Sequence, residues 1–389
     1  MDWGFFQEFL SIDSTSGKER KVAEWLAERL PGMFPAANRP ALRAEEVGDG
    51  TLNLLLTWGS PRIVFCSHLD TVPPYIEPIF PEGVFLSEPS LRDPSHKWAP
   101  PGSREEVYPP IVPQGTSALR GAAEGGHRFG EEHPLRENVI QGRGSCDAKG
   151  QVFAIVEACK RLAEEGKTDF GMLLLAGEET GSWGAKAFAK TEFRAEYLVV
   201  GEPTDNCMVS ASKGTKSFDL KFTGEPFHSG YPKYGVSAVD LFVEFVNALK
   251  AKDFGMDPVL GETSWNIGLL HSDNPQNILS PELTCRLYFR TTFVSDEAVC
   301  QWMAEAAGER LAVTARGGDT PARYWTVEGL PSKSVAFGSD APHLKNFTHK
   351  AICGPGSITV AHRDDECVRV ADLATAVEQY LALYRSVTE

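Results

Sequence analysis

The chain is short of positive charge. Its 38 Lys and Arg face 53 Asp and Glu, a formal net charge of −15 over 389 residues. An acidic surface repels phosphate polymers and anionic headgroups, so neither nucleic acid nor a membrane surface is an expected partner. No apolar run reaches about 18 residues, so no membrane-spanning helix is expected. The opening residues, Met1-Asp2-Trp3-Gly4, lack the basic segment that starts a secretory signal. Eight cysteines are present, but none forms a CxxC pair, which argues against a disulfide framework or a zinc finger. A cytoplasmic, reducing compartment is the expectation. No internal repeat is found.

What is present is a chain able to build a core. Hydrophobic residues make up 42% and charged residues 23%, ordinary proportions for a globular protein. Val22, Ala23, Leu26 and Leu30 recur at helical spacing over 18–30, and Pro31-Gly32 ends that pattern. Four short apolar runs, at 62–66, 171–176, 197–200 and 350–353, read as buried parallel strands. Helical patterns at 151–164 and 183–189 separate them, and a last helix covers about 370–385. Alternating strands and helices predict an α/β fold, a mostly parallel sheet flanked by helices. The stretch 213–320 reads differently. Strand patterns at 217–223, 283–291 and 311–315 enclose helices at 236–251 and 295–308, a β-α-β-α-β order that predicts an inserted α+β domain. The expected division is therefore 1–212 with 321–389, and 213–320. A third region, 81–137, holds nine of the 26 prolines and reads as a long irregular excursion.

Chemistry-bearing residues follow each predicted strand. His68-Leu69-Asp70, Gly177-Glu178-Glu179, Gly201-Glu202-Pro203 and Gly354-Pro355-Gly356 with Ala361-His362 stand at strand ends, and Asp147 opens a helix. In open α/β sheets those ends face the ligand crevice. Each residue alone has a plain explanation: a satisfied polar histidine, a solvated glutamate pair, an aspartate cap. Together they place several charges at one edge of a buried sheet, where a charge needs a partner. Mixed nitrogen and oxygen donors suit zinc, with cobalt or manganese as substitutes. A carboxylate two residues after His68 is placed to hold its second ring nitrogen.

These segments, with Gly142-Arg143-Gly144-Ser145-Cys146-Asp147-Ala148-Lys149-Gly150, resemble the zinc-dependent amidohydrolase and peptidase family of acetylornithine deacetylase, aminoacylase, succinyl-diaminopimelate desuccinylase and glutamate carboxypeptidase. The ordered motifs span nearly the whole chain. The resemblance implies two divalent metal ions bridged by Asp147, one completed by His68 and Glu202 and the other by Glu179 and His362. It implies Glu178 as general base, Asp70 as the partner of His68, and a cis peptide bond between Asp147 and Ala148. The segment Gly224-Glu225-Pro226-Phe227-His228-Ser229-Gly230 looks like the family's lid, in which His228 would reach the site of a second subunit of a homodimer. Asn277 and Arg290 look like lid residues that contact substrate, Arg290 as a fork for a carboxylate.

The expected substrate is a small N-acyl amino acid, with acetylornithine deacetylases the nearest likeness; the alternatives on the same scaffold are a dipeptidase, aminopeptidase or carboxypeptidase, or an N-succinyl-diaminopimelate desuccinylase. The excursion at 81–137 departs from the family by lengthening the gap between His68 and Asp147. Trp98, Tyr108, Arg104, Arg120, Arg128 and Arg136 are its candidates for touching substrate or a partner subunit. Two further classes compete: a non-catalytic binding protein, disfavoured by the full ligand set, and a thiol enzyme using Cys66 or Cys146, which lacks a dedicated base.

Overall fold

The computed structural model describes residues 1–81 and 138–388. The predicted excursion and its six candidate residues lie outside them, apart from Pro81.

The four apolar runs fall on the four mutually parallel strands of a six-stranded sheet. In spatial order its strands are Ala41–Val47, Thr51–Gly59, Asp169–Leu175, Ile63–His68, Ala195–Val200 and Phe347–Ile352. Ile63–His68 pairs in parallel with Asp169–Leu175 and with Ala195–Val200, and Phe347–Ile352 continues the parallel run. The first two strands are antiparallel additions at one edge. Ile63–His68 is buried along its length, as a strand covered on both faces must be.

Helices cover both faces. On one lie α1 (Trp3–Leu10), α2 (Arg20–Arg29), α3 (Lys149–Glu164) and α7 (Val370–Thr388), packed in a core that includes Phe6, Leu26, Phe65, Phe153 and Tyr380. Phe6 stacks on Phe153 with ring centroids 4.4 Å apart. On the other face α4 (Trp183–Phe188) supplies Ala185 and Phe188 to a second core with Leu173, Val200 and Ile352.

A four-stranded antiparallel sheet lies between Gly214 and Gly317, in the order Ser264–His271, Glu282–Thr291, Gly214–Thr223, Leu311–Gly317. Helices α5 (Ala238–Ala251) and α6 (Asp296–Ala306) pack on it around Phe218, Leu220, Leu287 and Phe289. The expected β-α-β-α-β order needs one correction: Ser264–His271 is an additional edge strand, half exposed and interrupted by Gly268. A strand buried on neither face carries no clean apolar alternation to read.

Candidate active site

The parallel strands bring their carboxyl ends to one edge, and the expected residues meet there. His68 ends the strand Ile63–His68 and is 1% exposed. Its Nε2 lies 3.1 Å from Asp147 Oδ1, while His362 Nε2 lies 3.3 Å from Asp147 Oδ2 and 3.0 Å from Glu179 Oε1. The two oxygens of Asp147 thus face different histidines. The peptide bond Asp147–Ala148 is cis. Asp147, Glu178, Glu179, Glu202 and His362 line one cavity of about 320 Å³, together with Arg290, Tyr288, Lys186, Ser339 and His343.

Asp70 does more than the sequence suggested. The second nitrogen of His68, Nδ1, meets the Asp70 main-chain oxygen at 2.9 Å, and the Asp70 carboxylate stands farther off, at 3.5 Å. That carboxylate instead accepts from the backbone N–H groups of Glu178 and Glu179, at 3.0 and 3.1 Å, and from the Ser16 hydroxyl at 2.9 Å. Asp70 therefore fixes both the histidine and the turn that carries the glutamate pair.

The electrostatics are those of a buried acidic cluster. Burial pushes the carboxyls of Glu178 and Glu202 well above the usual range, and Glu179 upward as well; neighbouring carboxylates add to the effect in each case. Hydrogen bonds to Asp147 and Glu179 raise His362 to about 10. Asp147 is held below its usual range: burial would raise it, but contacts with His362 and His68 outweigh burial. Glu202 Oε1 is fully buried with no hydrogen-bond partner among the described residues. Ligand atoms of His68, Asp147 and Glu179 lie within 4.8 Å of one another. An unpartnered buried carboxylate oxygen beside further carboxylates and two imidazoles fits divalent cations, whose charge offsets the desolvation of the acids.

His228 and Asn277 stand apart from this cavity. Both are exposed and adjacent to each other, because Ser229 N–H donates to the Asn277 oxygen at 2.9 Å and His228 bridges to Ile278. The thiol alternative finds no support. Cys66 and Cys146 are buried, and burial pushes both thiols well above their ordinary range, away from the nucleophilic thiolate.

Two residues beside the site have roles that the sequence did not show. Glu366 is fully buried; its carboxylate accepts from the N–H groups of Gly144, Cys146 and Asp147 at 2.9, 3.1 and 3.0 Å, and from Arg143 Nη1 at 2.6 Å. It thereby ties the segment of His362 to the loop of Asp147. Lys149 is also buried and donates to the main-chain oxygens of Phe9 and Ile12 at 3.2 and 2.5 Å, at the end of α1.

A donor set of this composition at the carboxyl edge of an open α/β sheet defines a metal-dependent hydrolase. Residues 118–386 match the model of peptidase family M20/M25/M40. The chain belongs to that family. Among similar proteins, a probable carboxypeptidase of Aspergillus clavatus is 28% identical, over 97% of this chain and 87% of its own length. A Peptidase M20 domain-containing protein of Sordaria macrospora is 30% identical, over 84% of this chain and 68% of its own. A tripeptidase structure from Staphylococcus aureus superposes with a TM-score of 0.72 at 18% identity, covering 99% of this chain and 97% of that one. An M20 family metallo-carboxypeptidase from Sulfolobus solfataricus gives a TM-score of 0.64 at 15% identity, covering 99% of each chain. No helix of the described residues is long and apolar enough to cross a membrane.

Proposed function

We propose that this protein hydrolyses the amide bond in front of a free carboxyl-terminal amino acid, as a carboxypeptidase or dipeptidase of small substrates whose range includes N-acyl amino acids. One observation carries the reading. Arg290 shares the cavity with Glu178, its guanidinium lies over the Tyr288 ring at 5.1 Å, and it has no carboxylate partner among the described residues. An unpaired guanidinium beside the reacting groups fits a substrate carboxylate through its two-pronged geometry. The names of the fungal relatives favour a peptide over acetylornithine.

In this reading His68, Asp147 and Glu202 hold one divalent ion, and Asp147, Glu179 and His362 the other, with zinc preferred and cobalt or manganese as substitutes. Bound divalent ions supply Lewis acidity, which acidifies water and polarises a carbonyl. Glu178 does the proton work. Its carboxylate takes a proton from the attacking water and delivers it to the departing nitrogen, and burial gives it the raised basicity that both steps need. Asp70 keeps Glu178 and Glu179 at fixed positions through their backbone. Arg290 anchors the leaving amino acid.

The unit at 213–320 acts as a lid and forms a homodimer. Eleven of the thirteen exposed large apolar side chains among the described residues fall between Phe227 and Val294, including Val239 and Val243 on α5 and Leu269 and Leu270 on the edge strand. Apolar exposure so concentrated on one unit favours burial against a second copy. His228, outside its own cavity, then serves the partner's site as an oxyanion donor, with Asn277 beside it.

A hydrolysis panel on metal-loaded protein tests this. Peptides blocked at the amino end but free at the carboxyl end should be cleaved, and their carboxamides should not. Cleavage that needs a free amine and tolerates a carboxamide would make the protein an aminopeptidase. N-acetylornithine as the preferred substrate would restore the deacetylase reading.

A further inference from the structure

We infer that Asn53 is a positioning residue for catalysis: its side-chain amide staples together the two ends of the loop that carries Glu178 and Glu179. The inference rests on the reading of Glu178 as general base.

The loop runs from Ala176, after the strand Asp169–Leu175, to Gly184 in the first turn of α4. It is costly to hold. Gly177, Gly181 and Ser182 have φ of 67°, 116° and 56°, so three residues of this short turn are left-handed and one of them is not glycine. Inside the turn, the N–H groups of Gly181 and Ser182 donate to the Glu178 oxygen at 3.0 and 3.1 Å. At its base, Gly184 N–H donates to the Ala176 oxygen at 3.1 Å.

Asn53 completes that base from the neighbouring strand Thr51–Gly59. Its Oδ1 accepts from Ala176 N–H at 3.0 Å, and its Nδ2 donates to the Gly184 oxygen at 2.9 Å. One amide therefore satisfies one end of the loop with its acceptor and the other with its donor. The pairing between the two strands runs as far as Leu54 opposite Leu174, so the side chain takes over where the backbone ladder stops. Asn53 is 1% exposed, so both bonds are shielded from solvent. The fit is close: a Cβ on Gly184 would stand 2.2 Å from the Ala176 oxygen and 2.8 Å from Asn53 Oδ1.

Asn53 is not among the residues that line the cavity, so it acts through the loop. Asp70 fixes the turn at the glutamates and Asn53 fixes it at the root. Without the second anchor the turn can rock about the first, carrying Glu178 away from the attacking water and Glu179 away from His362. Displacements near 1 Å at a reacting group lower rates by about a hundredfold.

The test uses the full-length, metal-loaded protein with Asn53→Ala and Asn53→Asp; the second keeps the acceptor for Ala176 and its shape, so it carries the test if the alanine variant does not fold. Both are assayed well below their unfolding temperatures beside Glu178→Gln. The expected result is a kcat lowered at least about tenfold with KM within about threefold, weaker zinc binding in chelator competition because Glu179 rides the same loop, and faster amide exchange over 177–184 with 169–175 unchanged. Folded Asn53 variants with kcat within twofold of the parent would overturn the inference while an inactive Glu178→Gln leaves the base assignment standing. An active Glu178→Gln overturns the base assignment itself, and the inference with it.

Discussion

Replacing Glu366 with alanine should be among the most destabilising single changes in the catalytic unit, and its size can be worked from the structure. Glu366 and Arg143 form an ion pair at 2.6 Å with side chains 0% and 1% exposed. The other carboxylate oxygen accepts three backbone N–H groups within the Asp147 loop. Deleting one member of a buried pair leaves the other charge uncompensated, at about 3–5 kcal/mol. Arg143 cannot relieve this by losing its proton, and its Nη2 already lacks a partner among the described residues. At an unfolding entropy of roughly 2.1 cal/mol/K per residue, a catalytic unit of roughly 280 residues loses about 1.7 °C per kcal/mol, so the expected fall is roughly 5–9 °C. Glu366→Gln keeps an oxygen for the three N–H groups and loses only the charge, so it should fall between the parent and alanine. Removing both charges, with Glu366→Gln and Arg143→Met together, should recover part of the loss. Calorimetry on the parent, Glu366→Ala, Glu366→Gln, Arg143→Met and the double variant decides. A shift under about 2 °C for Glu366→Ala, or a double variant as unstable as the two losses added, would refute the argument.

Three further outcomes follow from the same geometry. Burial lowers Lys149 to about 7, against 10.5 for a free lysine. The unfolded chain then binds the extra proton, so stability should rise with pH between about 7 and 10.5 and be flat below; urea titrations across that window should show a shallower slope for Lys149→Met. Phe153 is fully buried against Trp3, Phe5 and Phe6, so Phe153→Ala should cost about 3–5 kcal/mol in the same titration. If His228 serves the partner's site, mixing and reassociating inactive Glu178→Gln and His228→Ala chains should restore about a quarter of the sites, and no recovery would exclude a role for His228 across the subunit interface.

The six-stranded sheet was legible where its residues are buried on both faces. The runs 62–66, 171–176, 197–200 and 350–353 read as strands because each holds a buried stretch, at 63–66, 171–176, 198–200 and 351–353, without a charged residue. The strand Ala41–Val47 was not legible. It is an edge strand with no fully buried position, and its charged Arg43, Glu45 and Glu46 hide any pattern. Helix α1 was missed for a different reason. Trp3, Phe5, Phe6, Phe9 and Leu10 are buried on one face while Gly4, Gln7 and Glu8 are exposed, but eight residues are too few for the helical period to stand out.

By itself the sequence determined which side chains stand at the strand ends, since His68, Glu178, Glu179 and Glu202 each follow a readable strand within a few residues. It could not determine what holds them. Asn53 meets partners 123 and 131 residues away, and Glu366 meets partners 219 to 223 residues away. Those contacts are hydrogen bonds to backbone groups or to a single buried arginine. A backbone N–H or C=O belongs to every residue type alike, so such a bond leaves neither periodicity nor composition behind in the sequence. Only the packed sheet, by setting one strand against another and His362's segment against the Asp147 loop, brings an ordinary asparagine and an ordinary glutamate to the places where they fix the geometry of the site.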